Sequence, residues 1–335
     1  MMKYTIKDVA KQANVSIATV SRVINNQEGY SEATRLKVLD AIAELGYQPN
    51  AVARGLISRK TNTIGVLVPS LGTTFVTDLL SGIEKVAHQE GYSVIVCHTE
   101  LQGAKTMKYL EILNEKRVDG IVFISAELKE NHYQYIKKMR IPVVLLCSKS
   151  EQFPIPYVKV DDRAASYATT KYLIEKGHRN IGFISGSEED RLTSIPRVEG
   201  YKDALRSSNI AIKESHIVFS NEFFFEDGVE GMNLLLKRAS NITAVFAASD
   251  EIAVGAMSVA YKHGKKVPDD ISVIGYDDLR LAKMSHPPLT SLSQPLYRMA
   301  EKATYMLFEM LQSNQIPPSV IMPFNIIERE SVRSV

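Results

Sequence analysis

The sequence predicts an α/β core of two doubly wound parallel-sheet subdomains behind an all-α helix-turn-helix headpiece. Three observations carry this reading. Three short amphipathic segments fill the first 46 residues. From residue 61 onward, short β-branched runs alternate with helix-like stretches. Continuous apolar strands separated by helices belong to parallel sheets covered on both faces. Finally, the chain has 335 residues, enough for two or three domains of about 150 residues each.

In chain order, Thr5 is placed to cap a first helix, with Asp8 in its first turn and Ile6, Val9, Ala10 and Ala13 at helical spacing. Asn14-Val15 turns the chain. Ser16 caps a second helix carrying Ile17, Val20, Val23 and Ile24. Residues 25–29 form a loop. Ser31 opens a third helix with Leu36, Leu39, Ile42, Ala43 and Leu45 as its apolar positions, and Gly46 closes it. A turn of about three residues between the first two helices is the helix-turn-helix pattern. Residues 50–58 are compatible with a helix but short, and Gly55 costs about 1 kcal/mol against alanine there. This segment reads as a linker that orders conditionally. The expected strands are 63–69, 93–97, 120–124, 142–146, 181–184, 244–247 and 271–275, with a subdomain boundary near Asp161-Asp162.

Charge is unevenly spread. The first 60 residues hold nine Lys/Arg against five Asp/Glu, and the remainder 31 against 33. A basic module on a faintly acidic body suits a polyanion partner, although a solvated helical surface has the same composition. Other chemistries find little support. Neither a dinucleotide fingerprint, nor a phosphate-binding P-loop, nor a nucleophile elbow, nor H-E-x-x-H is present. Cys97 and Cys147 read as small apolar residues, and His98 and His178 as structural. No enzyme activity, cofactor or metal is expected. Without a signal peptide or a long apolar run, the chain is expected in the cytoplasm with no membrane partner.

Three blocks then point to a family. Thr5-Ile6-Lys7-Asp8-Val9-Ala10, Val15 to Asn25, and Gly46 to Leu56 closely resemble the lactose-repressor (LacI/GalR) family. The likeness continues through Val118-Asp119-Gly120-Ile121, Gly177-His178-Arg179-Asn180-Ile181, Arg197-Val198-Glu199-Gly200-Tyr201, Ser249-Asp250-Glu251 and Gly275-Tyr276-Asp277-Asp278. The resemblance implies a DNA-binding headpiece at 1–49, a hinge helix and linker at 50–60, and a core like a periplasmic sugar-binding protein at 61–335. The core would divide into 61–162 plus 293–322 and 163–292 plus 323–335. It also implies a repressor of a carbohydrate operon, acting as a homodimer on a pseudo-palindromic double-stranded operator, with a sugar or sugar phosphate as effector.

By the same resemblance, the second helix enters the major groove through Ile17, Ala18 and Arg22. Of these, only Arg22 has the bidentate donors that grip guanine. Ile17 and Ala18 read shape or a thymine methyl, and Ile17 also suits the headpiece core. Thr5, Ser16, Thr19, Ser21, Asn25 and Ser31 suit phosphate contacts, three of them doubling as caps. Ala53 and Leu56 lie on the hinge, with Leu56 as the wedge at the central base step. In the cleft between subdomains, Arg197, Asp277, Phe223, Phe75 and Asp250 are the implied effector contacts. Plainer roles compete: a surface pair with Glu199 for Arg197, a helix cap for Asp277, core packing for Phe223. Two departures stand out. Gly29-Tyr30 replaces a small apolar residue, and the 70–75 loop lacks the Asp, Asn and Pro frequent in relatives. The catabolite-control branch, which takes a phosphorylated HPr protein as corepressor, usually has Arg at Gln48 and Asp at Arg298. A dedicated sugar-operon regulator therefore fits better than a global one.

Overall fold

The computed structural model describes residues 4–24, 27–47, 60–100, 103–125, 127–313 and 315–335. The chain divides into two compact units, Met1–Thr61 and Asn62–Val335.

The first unit packs α1 (Ile6–Gln12), α2 (Ile17–Ile24) and α3 (Glu32–Leu45) around Val9, Val20, Val23, Val38 and Ala41. Asn14 takes φ 52° between α1 and α2, a left-handed conformation that asparagine tolerates. Gly46 ends α3 at φ 60°. The third helix buries part of the expected stripe, at Ile42 and Leu45, but not Leu36, Leu39 or Ala43. Leu36 and Leu39 are 52% and 39% exposed, while Val38, Ala41, Ile42 and Leu45 face the other helices. Those four positions are themselves spaced i, i+3, i+4, i+7. Two apolar stripes compete on one helix, and packing selects one. Tyr30 packs against the same core, beside a glycine at φ 108°.

The second unit holds, among the described residues, two six-stranded sheets. The first is built from β1 (Thr63–Val68), α4 (Thr74–Gln89), β2 (Ser93–His98), α5 (Thr106–Glu115), β3 (Gly120–Ile124), α6 (Glu130–Met139), β4 (Val143–Leu146) and β5 (Tyr157–Val160). The second uses α7 (Asp162–Glu175), β6 (Ile181–Ser185), α8 (Ser194–Ser207), β7 (Ile217–Phe219), α9 (Phe225–Arg238), β8 (Ala244–Ala247), α10 (Asp250–Lys262), β9 (Ser272–Asp277), α11 (Arg280–Met284) and β10 (Thr290–Ser293). Then α12 (Leu296–Ser313) returns to the first sheet with β11 (Val320–Met322), and β12 (Asn325–Ile327) rejoins the second. Strand order is β11-β5-β4-β3-β1-β2 and β12-β10-β9-β8-β6-β7. Every pairing is parallel except β10 with β12. The chain thus passes between sheets after β5, after β10 and after β11.

All seven expected strands are present. Five more, β5, β7, β10, β11 and β12, lie outside the apolar runs. They are short, and β5 and β10 carry buried polar groups at Lys159, Thr290 and Ser291. Lys159 is answered by Asp162 three residues on, and Ser291 by Asp250 41 residues back, a partner local sequence does not reveal.

Helices α9 and α10 touch backbone to backbone. A Cβ on Gly228 would collide with the Ile252 carbonyl, and one on Gly255 with the Phe225 carbonyl. Nothing flexible is there to yield. Gly228→Ala should therefore lower core stability by about 1–3 kcal/mol. Gly72→Ala, which meets open space, should stay within about 0.5 kcal/mol. Urea unfolding midpoints of the two variants check this contrast.

Candidate functional site

The headpiece presents α2 as its polar face. Ile17 is 45% exposed and does not enter the core. Ala18 and Arg22 are exposed as well, while Val20 and Val23 face inward. The Arg22 guanidinium lies beside Gly29, where a Cβ would come within 3.4 Å of it. The hydroxyl residues hold the helix ends. Thr5 donates from N and Oγ1 to Asp8 Oδ2 at 2.8 and 2.7 Å, which lowers the Asp8 pKa. Ser16 Oγ accepts from Thr19 N at 3.1 Å, and Ser31 Oγ accepts from Thr34 N at 3.3 Å. Such caps leave hydroxyls on the surface at helix N-termini, where the partial positive charge favours phosphate. Thr19 and Ser21 are half-buried on α2. Asn25, Ala53 and Leu56, with the hinge segment 48–59, lie outside the described residues.

In the core, the loops following the strand C-termini enclose a cavity of about 800 Å³. Pro69 and Ser70 follow β1, Ser125 follows β3, Cys147 follows β4 and Gln294 follows β10. Open parallel sheets bind ligands at these strand ends. Of the five expected effector residues, Phe75, Arg197, Phe223 and Asp277 line the cavity. Asp250 does not. It is fully buried beneath the wall, where Oδ1 accepts from Ser291 Oγ at 2.5 Å and Oδ2 from Leu279 N at 2.6 Å. Its role is to fix the turn after β9, and its neighbours Ser249 and Glu251 reach the cavity instead.

The wall is organised by Asp162, which is 5% exposed. Its Oδ2 meets Lys159 Nζ at 2.9 Å and its Oδ1 accepts from Arg197 Nε at 2.9 Å. Tyr276 donates to Oδ1 at 3.3 Å. Arg197 also donates from Nη1 to the Ala248 carbonyl at 2.5 Å. Its guanidinium stacks 3.7 Å from the Tyr276 ring and 5.7 Å from the Phe223 ring. The Glu199 pairing expected as the plainer role does not form; Glu199 faces Arg206 at 3.9 Å. Asp277 is no helix cap. It ends β9 at φ 106°, and its Oδ1 accepts from Gln294 Nε2 at 2.6 Å. Lys159, Asp162 and Gln294 lie in or beside short or polar strands, and Tyr276 closes the apolar run of β9, so sequence pattern alone does not mark them as site residues. The dipeptide Asp161-Asp162 reads in sequence as a subdomain boundary and a weak carboxylate pair. Asp161 in fact caps α7, accepting from Arg163 N and Ala164 N at 3.1 and 3.0 Å.

Burial pushes the Asp277 carboxyl up to about 7 from 3.8, with Asp162 and Glu251 adding and Arg197 and Gln294 opposing. The folded protein therefore binds more protons than the unfolded chain between about pH 4 and 7. This group's contribution to stability falls as pH rises through that window. Asp277→Asn removes the contribution. Its stability relative to the parent chain should climb from pH 5 to pH 8 in urea titrations at fixed ionic strength. A flat difference would place the Asp277 pKa near its ordinary value.

Comparison with known proteins agrees with this architecture. Residues 5–50 match the model for bacterial regulatory proteins of the lacI family, and residues 170–332 match the periplasmic binding protein-like domain. Catabolite control protein A of Priestia megaterium is 38% identical over 333 residues, covering 99% of this chain and all of its own length. Among solved structures, the transcriptional regulator CelR–cellobiose complex is 30% identical, with a TM-score of 0.75 over 98% of this chain and 100% of that one. The Lac repressor dimer bound to operator and the anti-inducer ONPF is 27% identical, with a TM-score of 0.88 over 99% of this chain and 100% of that one. Headpiece, paired parallel sheets and full-length identity converge: the chain belongs to the LacI family of DNA-binding transcriptional regulators and is not an enzyme.

Proposed function

We propose that this regulator is a cytoplasmic homodimeric repressor of a carbohydrate-utilisation operon, controlled by a small-molecule effector in the core cavity. One observation carries the reading: the cavity wall sets a buried, stacked Arg197 and a buried Asp277 beside the Phe223 ring. An aromatic face with hydrogen-bonding groups at its edge suits a saccharide ring. Exposed Ile17, Ala18 and Arg22 would read each half-site. Two headpieces related by a two-fold axis require a pseudo-palindromic operator. Ala53 and Leu56 would complete the contact in the minor groove. The relative named CelR holds cellobiose in its structure, which favours a carbohydrate. Ligand would act by shifting the population between lobe arrangements that differ in operator affinity.

A second reading, a global catabolite-control regulator with a protein corepressor, draws on the 38% identity to catabolite control protein A. Gln48 and Arg298, where that branch usually carries Arg and Asp, weigh against it.

Operator binding by fluorescence anisotropy at fixed salt tests the scheme. Arg22→Ala should cost about 1–3 kcal/mol on a specific palindrome and little on random DNA. A uniform loss on both would make Arg22 a phosphate contact. In the presence of a sugar that shifts operator affinity, Phe223→Ala should weaken the response about tenfold while leaving ligand-free operator binding unchanged. A response that appears only with an added phosphorylated protein would favour the second reading.

A further inference from the structure

Resting on the cleft reading above, we propose that the cavity selects a saccharide bearing no anionic group, and that Glu222 is a specificity-determining residue accepting a hydrogen bond from it. Three independent features lead there.

The first is charge. Among the described residues, nine carboxylate side chains line the cavity against four cations, Lys129, Lys159, Arg191 and Arg197. The two buried cations are already committed. Lys159 and Arg197 share Asp162, and Arg197 spends a further donor on the Ala248 carbonyl. Lys129 and Arg191 are exposed, so water screens them. A phosphate ester, carrying close to two negative charges, would enter a field of its own sign.

The second is the fate of the amides that would ordinarily seat a phosphate. Helix N-termini are ready anion sites, and α7, α8 and α9 all begin at this cavity. At or just before these three starts, backbone amides are already answered by carboxylates of the chain, while α10, which also begins here, is capped by the Ser249 hydroxyl. Asp161 takes the first amides of α7. Asp190 takes the amides of Leu192, Thr193 and Ser194 at 2.9–3.1 Å. Asp227 takes those of Asn221, Glu222 and Phe224 at 2.9–3.3 Å. A phosphate arriving here would have to displace a covalently tethered anion.

The third is an unmet acceptor. Glu222 Oε2 is buried with no hydrogen-bond partner, in the cavity wall next to Phe223. Burial and the neighbouring Asp227 raise its pKa. That oxygen is shut off from the cavity as it stands, so the half-buried side chain must turn toward the cavity before a ligand hydroxyl can supply the missing donor. Placed beside an aromatic ring, it defines the edge of a sugar lying on that ring.

The experiment is calorimetric titration of the full chain with common uncharged mono- and disaccharides and with their 6-phosphates. Ligand-free operator binding is measured on the same preparation. The expected result is that at least one uncharged sugar binds while its 6-phosphate binds tenfold or more weakly. Glu222→Gln, and separately the exposed Glu188→Gln, should narrow that gap by weakening the sugar, strengthening the ester, or both. A 6-phosphate that binds as tightly as its parent sugar overturns the proposal, as does an uncharged panel in which nothing binds. A gap unchanged in Glu222→Gln, with its unfolding midpoint preserved, removes Glu222 from the assignment. If operator binding is intact in these outcomes, the regulator reading survives without this ligand class; absent operator binding undermines that reading itself.

Discussion

The core is arranged around one buried carboxylate. Asp162 stands where the chain first leaves one sheet for the other, and it binds a lysine from the first sheet and an arginine from helix α8 of the second lobe. Removing one member of such a buried set leaves a charge without compensation, at a cost of roughly 3–5 kcal/mol. The lysine–aspartate–arginine set is net positive, and Asp277 nearby supplies the balancing charge when ionised. The cavity wall is thus an electrostatic assembly whose members come from β5, the start of α7, α8 and β9. Its position at a passage between sheets ties the ligand's surroundings to the geometry of the lobes.

Much of this was legible in the sequence. Apolar β-branched runs marked seven strands because buried parallel strands need little from distant residues to be recognised. The helix starts at Thr5, Ser16 and Ser31 were readable because a cap is chemistry within three residues of itself. What remained hidden depends on partners far along the chain. Asp162 looks like a boundary residue until Arg197, 35 residues on, closes on it beside Lys159. Asp250 was expected to face the ligand, since it follows a strand, yet Leu279 and Ser291, 29 and 41 residues away, draw it underneath. The stripe on α3 was misjudged because two apolar faces coexist there and only the packing of α1 and α2 distinguishes them.

The two units meet different physical demands. The headpiece has a small core of valines and alanines, with Ile17, Ala18 and Arg22 exposed on one helix and hydroxyl caps at its helix starts. Near the helix starts at the cavity, Asp161, Asp190 and Asp227 take backbone amides, whereas Ser16 and Ser31 hydroxyls cap the second and third headpiece helices.

The return of α12 and β11 to the first sheet also sets the order of assembly. Leu296, Met299, Ala303, Met306 and Leu307 fill the first lobe's core beside Ile64, Val66 and Ile83, which precede them by more than 200 residues. During synthesis the headpiece leaves the ribosome first and has all the residues its own core requires. The first lobe must wait, with its edge unpaired, until nearly the whole chain has emerged. The second lobe, apart from β12 and the last few residues, is continuous in sequence and can close ahead of it. A chain lacking residues 296–308 would therefore carry a complete headpiece and a first lobe without part of its core.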